Sequence, residues 1–164
     1  MSFDCKTPED VAKVVKENDV RHIDLRFTDP RGKWQHLTQL PETIDQDAFE
    51  NGIFFDGSSI AGWKAINESD MALIPDATTC VMDPFSAQPT MIMICDIRDP
   101  MTGELYSRDP RSTAKRAEQY LKSTGIGDTS YFGPEPEFFV FDDVRSEVSM
   151  NHTFYKVDHD EGPY

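Results

Sequence analysis

The 164 residues contain only three cysteines, Cys5, Cys80 and Cys95, with no close pair among them. That odd set excludes the disulfide framework of small secreted domains and the paired spacing of a zinc site, and it suits reduced, buried thiols. No apolar run nears the ~18 residues of a membrane span, and the N-terminus lacks the charged start and apolar stretch of a signal peptide. A cytoplasmic, membrane-free protein is therefore expected. Basic residues are scarce: 16 Lys and Arg stand against 30 Asp and Glu, a formal charge of -14. With no local basic patch, such a balance repels nucleic acid and anionic membranes. Phosphate loops, dinucleotide-binding glycine patterns and Cys–His nucleophile pairs are also missing, as are internal repeats and low-complexity tracts.

What is present is a folding sequence. Apolar residues make up 38% of the chain and include eleven Phe, enough for a core and too many for disorder. The length suits one ordinary domain, or a small domain plus part of a second. Thr7-Pro8-Glu9-Asp10 reads as a helix cap, a proline at the first helical position and an acidic first turn, predicting a short helix to about Lys16. In "RHIDLRFT", Ile23, Leu25 and Phe27 alternate; "DPRG" supplies a turn and "KWQHLTQL" a second strand. Asp45 caps a brief helix, "QDAFEN", which Gly52 stops, and "IFF" resumes extended chain. "TCVMD" and "TMIMICDI" predict another hairpin, so two hairpins and a helix form a small mixed sheet with the helix across one face.

At Asp99 the composition shifts to turn residues and charge, and "RDPMTGELYSRDPRS" reads as a connector. Asp109 and Pro110 start a helix whose inner stripe is Ala114, Ala117, Tyr120 and Leu121, ending before Gly125. Beyond it lie roughly one strand and a polar tail. A second unit of this size is not expected to close a core alone.

That strand, "YFGPEPEFFVFDD", places Glu135 and Glu137 in an apolar run with only Pro136 between them. Alternation would put both carboxylates on one face, Cα atoms ~7 Å apart. Phe139 and Phe141 share that face, as in a strand buried on both sides, and a buried carboxylate needs a cation, for which Mg²⁺ or Mn²⁺ suits oxygen ligands. A solvated edge strand is the competing reading, because Glu-x-Glu is a common pattern.

"FFDGSSIAGW" sets Asp56, Ser58 and Ser59 in a glycine-containing turn, either an Asx turn or a carboxylate able to hold ammonium. At an effective dielectric of ~20 such an attraction at ~4 Å is about 4 kcal/mol before desolvation. "NESDM" is a further acidic loop, with Asp70 able to line a site but a solvated turn the default. His152, Asp158, His159 and Asp160 imitate a ligand cluster, yet fit a solvated polar hairpin better.

"FDGSSIAGWKAINESDM" followed by "CVMDPF" and "FGPEPEFFVFDD", together with "SRDPRSTAKRAE" and "YKVDHDEGPY", closely resembles the N-terminal portion of bacterial type I glutamine synthetase. The resemblance implies an α+β chain: an N-terminal helix (1–17), a β-grasp (ubiquitin-like) domain (18–103) and the incomplete start of the catalytic domain (108–164). It implies that Glu135 and Glu137 ligate Mg²⁺ or Mn²⁺, and that Asp56, with Ser59 beside it, serves the ammonium site of a neighbouring subunit. The implied reaction joins ammonia to glutamate with ATP through γ-glutamyl phosphate, in a homo-oligomeric ring, a dodecamer. Remaining ligands of metal, glutamate and nucleotide are not matched here, so these 164 residues alone are expected to be inactive. A non-catalytic β-grasp interaction fragment, or a related glutamate–amine ligase, are the alternatives; the intact DGSS loop argues against the ligase.

Overall fold

The computed structural model describes residues 2–161. By their contacts these fall into two compact units, divided after Thr129.

In the first unit, α1 (Pro8–Glu17) starts as expected, with a reciprocal capping box. The Asp10 N–H donates to Thr7 Oγ1, and the Thr7 N–H to the Asp10 carboxylate at 3.0 Å. β1 (His22–Thr28) and β2 (Trp34–Gln39) form the expected antiparallel hairpin, Leu25 opposite Leu37. Asp29 builds the turn: its carboxylate accepts from the Arg31 and Lys33 N–H groups, each at 2.9 Å, and Gly32 supplies a φ of +83°. α2 (Gln46–Glu50) is capped by Asp45 and followed by Gly52 at φ +85°. A Cβ there would lie 2.6 Å from Ile74 Cδ1, so both conformation and space demand glycine.

β3 (Ile53–Asp56), β4 (Asp70–Pro75), β5 (Val81–Met82) and β6 (Thr90–Arg98) complete a six-stranded sheet in the order β2-β1-β6-β4-β3, with β5 also on β6. The β1–β6 pair is parallel and the others antiparallel. The β5–β6 hairpin matches expectation; β4 does not, since its first residues read as part of an acidic loop. "DMALIP" is short and lacks clean alternation, and its strand character comes from β3 on one side and β6 on the other.

One sheet face forms the core: Ile23, Leu25 and Phe27 from β1, Met71 and Leu73 from β4, Met91, Met93, Cys95 and Ile97 from β6, joined by Val11 of α1. The opposite face is mixed, apolar at Ala72 and Ile92 and polar over β1 and β2. There Asp24, only 5% exposed, accepts from Arg26 Nε at 2.7 Å and from Thr38 Oγ1 at 3.0 Å and contacts His36 Nδ1 at 2.7 Å.

α3 (Pro110–Thr124) is capped by the fully buried Asp109, which accepts from the Ser112 N–H at 2.8 Å and its hydroxyl at 2.6 Å. The helix is tied to the sheet by polar groups: Arg111 bridges Asp96 and Asp76, and Lys115 reaches Asp96. The expected apolar inner stripe is not its buried side. Ala114 and Ala117 are exposed, Tyr120 is 72% exposed and Leu121 half-buried.

The second unit holds one hairpin, β7 (Asp143–Val148) and β8 (Thr153–Asp158), the polar hairpin foreseen around His152 and His159. The strand expected at residues 131–141 is absent: no ladder forms there, and Phe138 and Phe139 are 84% and 72% exposed. Alternation alone does not make a strand, because the backbone N–H and C=O groups need a neighbouring strand to pair with.

Candidate functional site

Asp56 ends β3 and caps the short 3-10 turn Gly57–Ser59. Its Oδ1 accepts from the Ser58 N–H at 2.8 Å and the Ser58 hydroxyl at 2.6 Å, so the turn is an Asx turn. The Ser58 hydroxyl and then its N–H hold the Asp56 carboxyl below its ordinary value, keeping it ionised. Gly57 is required by close approach: a Cβ would sit 2.5 Å from Met71 Cγ and 3.0 Å from the Ser69 carbonyl, to which the Gly57 N–H donates at 2.7 Å.

The loop is fixed from behind by aromatics. Phe27 lies 5.2 Å from Phe55 and 5.4 Å from Trp63, ring centre to ring centre, and Trp63 packs edge-on to Tyr106. The Tyr106 hydroxyl donates to the Trp63 carbonyl at 2.9 Å, and Arg108 Nη1 donates to the Gly62 carbonyl at 2.7 Å. Residues of the connector thus clamp the chain that follows DGSS, something no local pattern announces.

A cleft of about 270 Å³ opens between this loop and the first hairpin, lined by Asp56, Ser59 and Ile60 on one side and by Phe27, Gln35, His36 and Leu37 on the other. Asp56 and Ser59 therefore share one cavity. The hairpin residues were invisible as site residues in the sequence, because only sheet pairing brings them there. A larger cleft of about 650 Å³ is lined in part by Asp70, Glu68 and Asn67 of "NESDM" and by the Lys64–Asp99 ion pair at 2.8 Å. Asp70 opens β4 directly opposite Asp56 in the ladder. Two like charges in register cost energy unless water or a cation screens them.

Glu135 and Glu137 lie in the second unit, in the exposed stretch without a strand. The Phe139 and Phe141 rings stack at 6.0 Å, so alternate side chains share a side there. Among the described residues no group of three or more His, Cys, Asp or Glu is placed to hold a metal ion. The two glutamates supply two oxygen donors of the right chemistry, short of a complete coordination shell.

Two family models match successive parts of the chain, and the second begins within the first compact unit. A sequence model described as "Glutamine synthetase, beta-Grasp domain" matches residues 19–100, and one described as "Glutamine synthetase, catalytic domain" matches residues 107–163. The chain belongs to the glutamine synthetase family, with a β-grasp domain followed by the start of the catalytic domain. The glutamine synthetase of Azospirillum brasilense is 63% identical over 158 residues, which cover 94% of this chain and 34% of that protein. A 3-hydroxylaminophenol mutase of Cupriavidus pinatubonensis is 57% identical, covering 94% of this chain and 33% of that one. In fold, the chain is similar to a Plasmodium falciparum glutamine synthetase solved by cryo-electron microscopy, with a TM-score of 0.77 at 24% identity over 96% of this chain and 30% of that one. The chain thus spans about a third of the length of the relatives it matches. Among the described residues no helix is long and apolar enough to cross a membrane.

Proposed function

We propose that these residues serve an ATP-dependent ligation of ammonia to glutamate, giving glutamine through γ-glutamyl phosphate, within a homo-oligomeric ring, a dodecamer, in the cytoplasm. The observation that carries this reading is Asp56: an ionised carboxylate fixed at a cleft, opposite a second carboxylate, in a chain of this family. The domain limits that go with it are 1–17, 18–103 and 108–164.

Asp56, at the edge of this cleft, attracts ammonium to the site it forms with a neighbouring subunit and lowers its mobility there. Its depressed basicity makes it a better anchor for the cation than a sink for its proton. Ser59 lines the same cleft and offers a hydroxyl to the bound nitrogen. Glu135 and Glu137 would hold Mg²⁺ or Mn²⁺ as two of its ligands. Such an ion, when bound, neutralises nucleotide phosphates and aligns the transferred phosphoryl group. The rest of this chain's contribution is rigidity, through the aromatic clamp behind DGSS.

In the full-length protein, Asp56→Ala is expected to raise the ammonium KM at least tenfold and leave the ATP KM within about twofold, as loss of one charged contact worth about 1.4 kcal/mol or more implies. Equal, small changes in both would remove Asp56 from the ammonium site. Glu137→Ala is expected to raise the divalent metal concentration needed for half-maximal activity; an unchanged metal titration would sink that assignment. The mutase relative motivates a second reading, isomerisation of a hydroxylaminophenol. Turnover of 3-hydroxylaminophenol without glutamine formation would favour it.

A further inference from the structure

Cys5 and Cys80 are 75 positions apart by their numbers and meet in the fold. Ser2 forms an antiparallel bridge to Val81, and the Phe3 N–H donates to the Cys80 carbonyl at 3.2 Å, so the N-terminal segment runs beside the residues that lead into β5. Both cysteines are 2% exposed and lie in the same core cluster. The third, Cys95, lies in the same core cluster, its Sγ turned to the Met93 carbonyl at 4.0 Å. We propose that Cys5 and Cys80 are a redox modification site, closing a reversible disulfide when the protein meets a low-molecular-weight disulfide such as oxidised glutathione.

The chemistry is two successive exchanges. One thiol loses its proton, and its thiolate attacks the external disulfide and expels one glutathione thiolate, leaving a mixed disulfide on the protein. The second protein thiolate then attacks that sulfur and expels the other glutathione. Two protein thiols are oxidised, one external disulfide is reduced to two thiols, and two protons move to the departing thiolates. Burial pushes Cys80 up to about 12 and also raises Cys5, so the closed protein reacts slowly. Reaction waits for the N-terminal segment to peel away, an opening local to residues held by few backbone bonds. Reclosure places the second thiol beside the first, which favours the internal disulfide over two separate adducts. The product ties the N-terminal segment, and α1 after it, to the strand end at Cys80 across a long loop.

The test uses the full-length protein incubated with oxidised glutathione, in native buffer and in sub-denaturing urea that promotes local opening. Free thiols are then alkylated and the protein is digested with trypsin without reduction. Cleavage places Cys5 in residues 1–6 and both Cys80 and Cys95 in residues 65–98, where fragmentation separates them. The expected product is a Cys5–Cys80 cross-link, with a Tm roughly 3–5 °C above that of the reduced protein and reversed by dithiothreitol, the scale expected for closing a long loop in a protein about three times the length of this chain. Cys95→Ser should keep the cross-link and the Tm rise, and Cys5→Ser should lose both. Glutathione retained on Cys5 with Cys80 unlinked, a link through Cys95, or two free thiols in both conditions would overturn the proposal.

Discussion

Residues 2–129 and residues 130–161 both contain several Phe and Val, yet among the described residues only the first unit buries such side chains. In the first, Leu25, Leu73 and Met93 are fully enclosed, because β6 has β1 on one side and β4 on the other and helices cover the face. In the second, β7 has only β8 as a partner, and Val144 and Tyr155 are 59% and 81% exposed. The same kinds of residue thus pack in one region and stand in solvent in the other. Hydrophobic content sets a capacity for burial, and paired strands with a covering layer turn it into a core.

The strongest way to break that contrast is Leu73→Ala, which removes a fully buried side chain from the centre of the first unit. A loss of about 3 kcal/mol in urea unfolding is expected, with partial collapse of the cavity setting the exact figure. A loss below about 1 kcal/mol would mean that this core is not well packed.

A somewhat smaller effect tests the polar face. Burial by itself would raise the Asp24 carboxyl, but hydrogen bonds from His36, Arg26 and Thr38 outweigh it and hold the group below its ordinary value of 3.8. The unfolded chain therefore takes up the proton first as pH falls. Stability is full above about pH 4 and is lost as pH drops through the depressed folded value. Asp24→Asn should cost about 2 kcal/mol at neutral pH and flatten part of that acid slope, measured by urea midpoints from pH 3 to 7. An unchanged slope would show that Asp24 does not carry it.

Smaller again is Asp109→Ala, which leaves the Ser112 N–H and hydroxyl without their buried acceptor. About 1.5 kcal/mol is expected, together with faster amide exchange in the first turn of α3. Smallest is Val144→Ala in the second unit, expected to change stability by less than about 0.5 kcal/mol. A loss above 1 kcal/mol would show that this hairpin buries its apolar side in the working protein, which would sharpen the contrast into a statement about assembly.

Local signals were legible wherever the physics is local. Thr7 and Pro8, Asp45 and Gly52, Asp109 and Gly125 mark helix ends because caps are satisfied within a few residues. The turn at Asp29 and the alternation of Ile23, Leu25 and Phe27 similarly announced the first hairpin. β4 was hidden because its pairing partners lie at Phe54 and Ile97, far from it in the chain. The stripe on α3 misled for a related reason: the helix is held to the sheet through Arg111 and Lys115, and charge pairing leaves no periodic apolar signature. Of the candidate site, Asp56 and Ser59 stood out as a loop motif, while Phe27, His36 and Leu37 on the facing wall did not.

By itself the sequence determined the caps, turns, strand-forming runs and net charge of -14, since each depends on neighbours in the chain or on simple counts. Only the tertiary structure decided that β1 runs parallel to β6, that Asp56 faces Asp70, that the segment before Cys5 runs beside Cys80, and that the run holding Glu135 and Glu137 stays outside any sheet. Those outcomes depend on which distant segments pair, and a one-residue shift in pairing would turn every side chain to the other face.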